Sequence, residues 1–318
     1  MMNNQVQSYC TSTGSEFFKK KYKLSNDAFN LTHQSFYLSS IGFGMYKGKY
    51  KSKNQRKIYQ KIIKKFISSG VNVFDVARKY RNGFSEIDLG IVIRDLIKKK
   101  KVKRNELFIS SKAGLINFYQ DKKKNISAKD FTKYRGLKIS DLKKNIFCCK
   151  KKFLQQEIDI SLENLQLKTL DNYYIHNPEL LNGNLNNFKD YYQIFETFEK
   201  AIQNNKIRSY GISSWAGFRR DKQNPFFIDI KKIVKIANDV AGKKNGFKNL
   251  QVPLSVYMPF VEKNYSFSGN KNLLDYCYEN KINIFTSASL YEGKIKQFLN
   301  FLKIFNYLNN KKKKEHLS

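Results

Sequence analysis

Four polar residues with side chains suited to proton transfer lie at the ends of short apolar segments. Asp75 ends the run VNVFD, Tyr80 follows five positions later, Lys112 ends ELFISSK and His176 ends LDNYYIH. A phenol has a pKa near ~10 and is a useful acid at neutral pH only if a neighbouring cation favours its anionic form. Lys112 can supply that cation, Asp75 can hold Lys112 protonated, and His176 can donate a hydrogen bond to an oxygen that gains negative charge. The four residue types therefore predict proton delivery to a carbonyl oxygen.

These residues can act together only if the fold brings the ends of their segments to one place. Short β-rich apolar segments occur at 39–46, 71–77, 106–112, 170–176, 209–214, 249–257 and 282–288, and segments with helical spacing lie between them. Strands that alternate with helices indicate a parallel sheet of βα units. This many units favours an α/β fold of the (β/α)8 TIM-barrel type over a doubly wound sheet. Barrel active sites lie at the carboxyl ends of the strands, where the four residues are found.

The same pattern predicts the organisation of the chain. Residues 1–37 are expected to form an N-terminal extension, residues 38–300 the barrel, and residues 301–318 a lysine-rich tail. The long polar segment 117–150 is expected to be an enlarged βα loop over the mouth of the barrel. Only one helical pattern precedes the tail after the seventh strand, so the sequence predicts that the eighth strand and its helix are missing.

Composition restricts the classes of partner. The hydrophobic share of 41% and the charged share of 27% are typical of a globular protein, and the polar N-terminus has no secretory signal pattern. A cytoplasmic protein without a membrane span is therefore expected. The net charge of +34 suggests either a polyanionic partner or composition drift, and the even spread of lysines favours drift and no specific nucleic acid. Four cysteines without a C-x-x-C spacing and three scattered histidines do not predict a metal site.

Five successive motifs resemble the signatures of the aldo-keto reductase family, in the family's order. They are GVNVFDVARKYRNGFSEIDLG, RNELFISSKAG, SLENLQLKTLDNYYIHNPE, NNKIRSYGISS and NLQVPLSVY, and the resemblance runs from about residue 38 to about residue 295. The run before the fourth strand is similar to a bacterial and archaeal branch that carries an insertion there. The resemblance implies that Asp75, Tyr80, Lys112 and His176 form a catalytic tetrad. It also implies reduction of aldehydes or ketones with NADPH.

The resemblance further implies a cofactor site and a small-molecule carbonyl substrate. Ser213, Ser214 and Gln251 occupy positions where family members hold the nicotinamide carboxamide of NADP. Trp215 stands at or beside a position that is usually asparagine in the family. Ser287 or a neighbour replaces an aromatic residue that stacks on the nicotinamide. These differences, with the missing eighth strand, leave open an alternative: a non-catalytic or decayed family-like scaffold with weak or no cofactor binding.

Overall fold

Strands and helices alternate along the chain in the computed structural model, which describes residues 8–120, 124–181, 188–220, 222–255, 258 and 272–290. The strands are β1 (Phe29–Leu31), β2 (Tyr37–Ser39), β3 (Phe43–Gly44), β4 (Val73–Asp75), β5 (Phe108–Ala113), β6 (Tyr119–Gln120), β7 (Lys124–Asn125), β8 (Asn172–His176), β9 (Tyr210–Ser213), β10 (Phe247–Pro253) and β11 (Asn283–Ser287). The helices are α1 (Ser12–Tyr22), α2 (Lys53–Ser68), α3 (Phe84–Lys98), α4 (Ala128–Arg135), α5 (Lys151–Leu165), α6 (Lys189–Gln203), α7 (Ile230–Ala241) and α8 (Leu273–Glu279).

Seven strands form one parallel sheet that is nearly closed into a barrel. Their spatial order is β3-β4-β5-β8-β9-β10-β11, which is also their order along the chain. Each of the predicted strand segments overlaps one of these strands, so the predicted α/β barrel class is confirmed. The predicted absence of an eighth strand concerns the chain after Leu290, which lies outside the described residues.

The barrel is held together by apolar side chains at helical and strand spacing. On α6, Ile194, Phe195 and Phe198 are fully buried, as the i, i+1 and i+4 pattern of an inward face requires. The Phe195 ring lies 5.1 Å from the Tyr210 ring of β9, which fixes α6 against the sheet. Among the described helices, none is both long and apolar enough to cross a membrane.

Residues before the first barrel strand form local structure that the sequence did not predict. Helix α1 begins after Thr11, whose hydroxyl accepts a hydrogen bond from the amide of Gly14. Strands β1 and β2 form an antiparallel pair. The buried Asn72 side chain, just before β4, accepts from the amide of Ser39 at 2.8 Å and donates to the carbonyl of Tyr37 at 2.9 Å. These bonds fix the β1–β2 pair against the amino-terminal end of the barrel.

The predicted long loop after β5 contains a small two-stranded sheet and a short α-helix. Strands β6 and β7 pair with each other, and α4 begins after Ser127, whose hydroxyl accepts from the amide of Asp130. Both ends of the loop return to the end of β5, because the Cys148 amide donates to the carbonyl of Gly114 at 2.9 Å. The loop therefore starts and ends at the carboxyl end of β5.

Candidate active site

The four residues that the sequence singled out for proton transfer lie together at the carboxyl ends of the strands. Asp75 is the last residue of β4, Lys112 lies near the end of β5, and His176 is the last residue of β8. Tyr80 lies on a short helical turn that follows β4. The Lys112 Nζ atom is 4.7 Å from the centroid of the Tyr80 ring, and the rings of Tyr80 and His176 meet edge to face at 5.5 Å. The fold thus gathers four side chains from three strand ends into one cluster.

Asp75 and Lys112 form a tight ion pair below the tyrosine. Lys112 Nζ lies 2.5 Å from each carboxylate oxygen of Asp75 and donates to the carbonyl of Val76 at 3.1 Å. Burial lowers the pKa of Lys112, while the charge of Asp75 and its hydrogen bond act in the opposite direction. A completely buried ammonium requires such a partner, so Asp75 keeps the cation in place.

The Tyr80 phenol is held in its protonated form. Burial raises the pKa of Tyr80 well above its usual value, and the charge of Asp75 raises it further. The sequence-based expectation was that Lys112 would favour the phenolate. In the structure burial and the Asp75 charge outweigh that effect, because Asp75 neutralises Lys112. Tyr80 therefore keeps its proton at neutral pH.

His176 is neutral for the same physical reason. Burial lowers the pKa of His176 well below its usual value, and the positive charge of Lys112 adds to this effect. A neutral imidazole has one N–H donor and one acceptor nitrogen. His176 can thus donate a hydrogen bond to a substrate oxygen without adding a second positive charge beside Lys112.

The turn that carries Tyr80 has an unusual backbone. Arg81, Asn82 and Gly83 have φ angles of 52°, 54° and 87°, a left-handed conformation that side-chain-bearing residues adopt rarely. Polar contacts hold this turn. The Arg81 guanidinium donates to the carboxylate of Asp88 at 3.0 Å, and the side-chain NH₂ group of Asn82 donates to the hydroxyl of Tyr50 at 3.0 Å. Such strain persists only where the surroundings fix it, and here it lies directly after Tyr80.

The predicted cofactor residues divide into two groups. Ser213 and Gln251 lie at the ends of the adjacent strands β9 and β10, and the Ser213 hydroxyl donates to the Gln251 side-chain oxygen at 2.6 Å. Ser213 is also the register partner of His176, so this pair borders the proton-transfer cluster. Ser214 instead donates to a carboxylate oxygen of Glu179 at 2.9 Å and accepts from the amide of Gly217. The side chain of Ser214 thus fixes the loop after β9.

Glu179 is a residue of this site that the sequence reasoning missed. Besides Ser214, its carboxylate accepts hydrogen bonds from the amides of Trp215 at 3.0 Å and Ala216 at 2.8 Å. Burial raises the pKa of Glu179, and these hydrogen bonds oppose the shift. The available signal was an acid in the HNPE sequence directly after a strand, the same signal that pointed to Asp75.

Two positions that differ from the family pattern lie at the strand ends. The Trp215 side chain is 46% exposed, and the guanidinium of Arg219 lies 5.3 Å from its ring. Ser287 is the last residue of β11, and its carbonyl accepts from the amide of Leu254 at 3.1 Å. The structure therefore places both residues at the same end of the barrel as the tetrad. Within the described ranges, no cluster of three or more His, Cys, Asp or Glu side chains could hold a metal ion.

Among the solved structures with a similar fold are two aldo-keto reductases. The chain resembles aldo-keto reductase AKR11C1 from Bacillus halodurans, in its holo form, with a TM-score of 0.55 and 17% identity over 84% of this chain and 68% of that one. It resembles an aldo/keto reductase from Klebsiella pneumoniae, solved with NADP and acetate, with a TM-score of 0.53 and 18% identity over 84% of this chain and 70% of that one. At these identities the likeness concerns the fold alone.

A family model gives the more direct assignment. A search of curated proteins found no match. The model of the aldo/keto reductase family, in contrast, matches residues 40–315, which is most of the chain. Its range includes every strand of the barrel and all four residues of the cluster. The chain belongs to the aldo/keto reductase family.

Proposed function

We propose that this oxidoreductase uses NADPH to reduce an aldehyde or a ketone to an alcohol. The observation that carries the proposal is the cluster in which the buried Asp75–Lys112 ion pair lies beside the Tyr80 ring and His176. Family membership and the NADP bound in the Klebsiella pneumoniae structure support the choice of cofactor. The substrate is a small carbonyl compound.

The four side chains have distinct roles in this proposal. NADPH, when bound, supplies the hydride for the carbonyl carbon. Tyr80 then gives its proton to the carbonyl oxygen, and the His176 N–H holds that oxygen while its negative charge develops. Lys112 stabilises the phenolate that Tyr80 leaves, and Asp75 keeps Lys112 charged. One hydride and one proton are consumed for each alcohol formed.

The residues beside the cluster suit the carboxamide of a nicotinamide. A carboxamide carries one acceptor oxygen and one donor NH₂ group. The Ser213 hydroxyl lies 2.6 Å from the side-chain oxygen of Gln251. Between them, the hydroxyl and the side-chain amide can donate to the oxygen of a carboxamide and accept from its NH₂ group. We assign these two residues to binding of the nicotinamide, and Ser214 to the support of the adjoining loop.

The first test replaces Tyr80 with phenylalanine, which removes only the proton donor. We expect kcat for NADPH oxidation with a panel of aldehydes and ketones to fall by about 10²–10⁴-fold. The affinity for NADPH, measured by quenching of Trp215 fluorescence, should stay the same. The matched control is Tyr192→Phe on α6, whose hydroxyl is bonded to Asp239 away from the cluster. A Tyr80→Phe protein that is as active as the wild type refutes the assignment.

A second candidate is a scaffold that binds the cofactor weakly or not at all. It is favoured by Ser287, which stands where an aromatic side chain that stacks on the nicotinamide is expected. The two candidates differ in a titration of the wild-type protein with NADPH. Saturable quenching of Trp215 supports the reductase, and its absence up to millimolar NADPH, in a protein shown to be folded by circular dichroism, supports the scaffold.

A further inference from the structure

A chain of four buried charges of alternating sign runs beside the candidate site. Arg135 lies 2.6 Å from one carboxylate oxygen of Glu157, and Arg78 lies 3.3 Å from the other. Arg78 also pairs with Glu86 at 3.5 Å. The side chains of all four residues are at most 7% exposed. We call this set the ion chain; it joins α4, α5, the turn after β4 and α3.

The ion chain reaches two of the three segments that carry the proton-transfer residues. Arg78 lies in the turn after β4, two positions before Tyr80. At the other end, Glu86 accepts a hydrogen bond from the hydroxyl of Ser111 at 2.6 Å, and Ser111 directly precedes Lys112 on β5. The guanidinium of Arg78 is thus tied to a carboxylate that also holds the neighbour of Lys112.

The first residues of the long loop after β5 contact the same turn. The Asn117 side chain donates to the carbonyl of Arg78 at 3.0 Å. The Lys79 ammonium donates to the carbonyl of Ile116 at 2.9 Å. The backbone just before Tyr80 is therefore bound from two sides, by the ion chain and by the start of the loop.

The energetics favour a positioning role over a purely stabilising one. Replacing a buried ion pair with well-packed apolar side chains is often neutral or stabilising, so such pairs are a poor source of net stability. The rigid, planar Arg78 guanidinium, however, donates a hydrogen bond to Glu86 and lies in ionic contact with Glu157, so it restricts the position of the turn. A displacement of about 1 Å in a catalytic group can lower the rate by about 10²-fold, so a fixed turn matters for Tyr80.

We propose that Arg78 is a positioning residue for Tyr80, and that the ion chain makes α4 of the long loop part of the same unit. The kinetic consequence rests on the proposed reductase function, whereas the placement of the Tyr80 ring does not. Arg78 holds the turn through Glu86 and Glu157, and Arg135 holds Glu157 from the side of α4. Loss of Arg78 therefore changes where the phenol lies relative to Lys112 and His176.

The placement of Tyr80 can be followed without turnover. Protein with ¹³C at the tyrosine Cζ atoms gives one NMR resonance for each ordered ring environment, and the Tyr80 resonance is the one that disappears in Tyr80→Phe. We expect Arg78→Met to shift or split this resonance. The matched control is Arg104→Met, because Arg104 is equally buried and pairs with Asp171 at 2.7 Å at the opposite end of β5. This control should lower stability and leave the Tyr80 resonance in place.

Kinetics provide the second readout. We expect Arg78→Met to lower kcat by about tenfold or more, with the NADPH dissociation constant within about twofold of the wild-type value. Arg78→Lys keeps the charge but cannot engage both carboxylates as a planar group does, so it should recover only part of kcat. Arg135→Met should shift the Tyr80 resonance in the same direction and by a smaller amount.

The outcomes distinguish the positioning role of Arg78 from the proposed reductase function. An unshifted Tyr80 resonance in folded Arg78→Met overturns the positioning role, and an unshifted resonance in Arg135→Met overturns the link to α4. If Arg78→Met does not fold, Arg78→Lys carries the same test, and an unmoved resonance together with wild-type kcat refutes the proposal. A wild-type protein that reduces no carbonyl refutes the proposed function alone, since the NMR comparison still decides on Arg78.

Discussion

Replacement of Asp75 by asparagine removes the charge that keeps Lys112 protonated and retains the shape of the side chain. Loss of one partner of a buried ion pair costs about 3–5 kcal/mol. The Asp75 side chain is 17% exposed, and Lys112 keeps its hydrogen bond to Val76, so we expect a loss near the lower end, about 3 kcal/mol at pH 7.

This loss should depend on pH in a defined direction. Burial already lowers the pKa of Lys112, and Asp75 opposes that shift, so Asp75→Asn lowers the pKa further. At neutral pH, below the folded-state pKa of Lys112 in both the wild type and Asp75→Asn, the full difference in the free energy of unfolding is present. As the pH rises through the variant's pKa and then the wild-type pKa, the difference shrinks, because a neutral amine needs no counter-charge.

Urea unfolding at a series of pH values measures the difference in the free energy of unfolding, and the pH profile of kcat measures the accompanying shift in the pKa of Lys112. The alkaline decline of kcat, which reports loss of the Lys112 charge, should begin at lower pH in Asp75→Asn. The matched control is Asp159→Asn, because Asp159 pairs with Lys206 on the surface and should contribute little. A loss of stability that is the same at every pH, with an unchanged alkaline decline, refutes the assignment of Asp75 as the partner that keeps Lys112 charged.

Two further predictions concern His176 and Glu179. Because burial holds the pKa of His176 well below 6.5, the unfolded state takes up a proton that the folded state does not. Below pH 6.5 the wild-type free energy of unfolding should therefore fall relative to that of His176→Gln by about 1.4 kcal/mol per pH unit; parallel curves from urea unfolding exclude a neutral buried imidazole. In Glu179→Ala the amides of Trp215 and Ala216 both lose their shared acceptor, the Oε1 atom, so we expect a loss of about 2 kcal/mol in stability and a red-shifted Trp215 emission. An unchanged emission spectrum contradicts this role of Glu179.

The barrel and the members of the cluster were predictable because both depend on short-range patterns. A buried parallel strand is an apolar run, and a polar residue at its end stands out, as Asp75 does after VNVF and His176 does after LDNYYI. The parallel arrangement then places all such ends on one side of the sheet. No distance needs to be known for this step, since connectivity alone determines it.

The remaining features depend on contacts between distant segments. The side chain of Asn72 holds the pair β1–β2, and nothing in the local sequence around Asn72 shows that its partners lie more than thirty residues earlier. In the sequence, Glu157 cannot be distinguished from the other acidic residues on helices, although both of its ion pairs are buried in the structure. The high density of lysine and asparagine makes such residues harder to distinguish from solvated ones.

The distribution of charge explains why position matters more than acidity for Tyr80. Asp75 neutralises Lys112 before the reaction, and burial disfavours the phenolate, so the tyrosine does not release its proton in advance. In the proposed reduction, an acceptor stronger than a phenolate appears only when hydride reaches the carbonyl carbon. Proton transfer then requires that the phenol already lies within reach of that oxygen. The left-handed turn at Arg81 directly follows Tyr80, and we propose that the buried guanidinium of Arg78 holds the same backbone; neither residue lowers the pKa of the phenol. The proposed reaction therefore depends on the backbone that carries Tyr80.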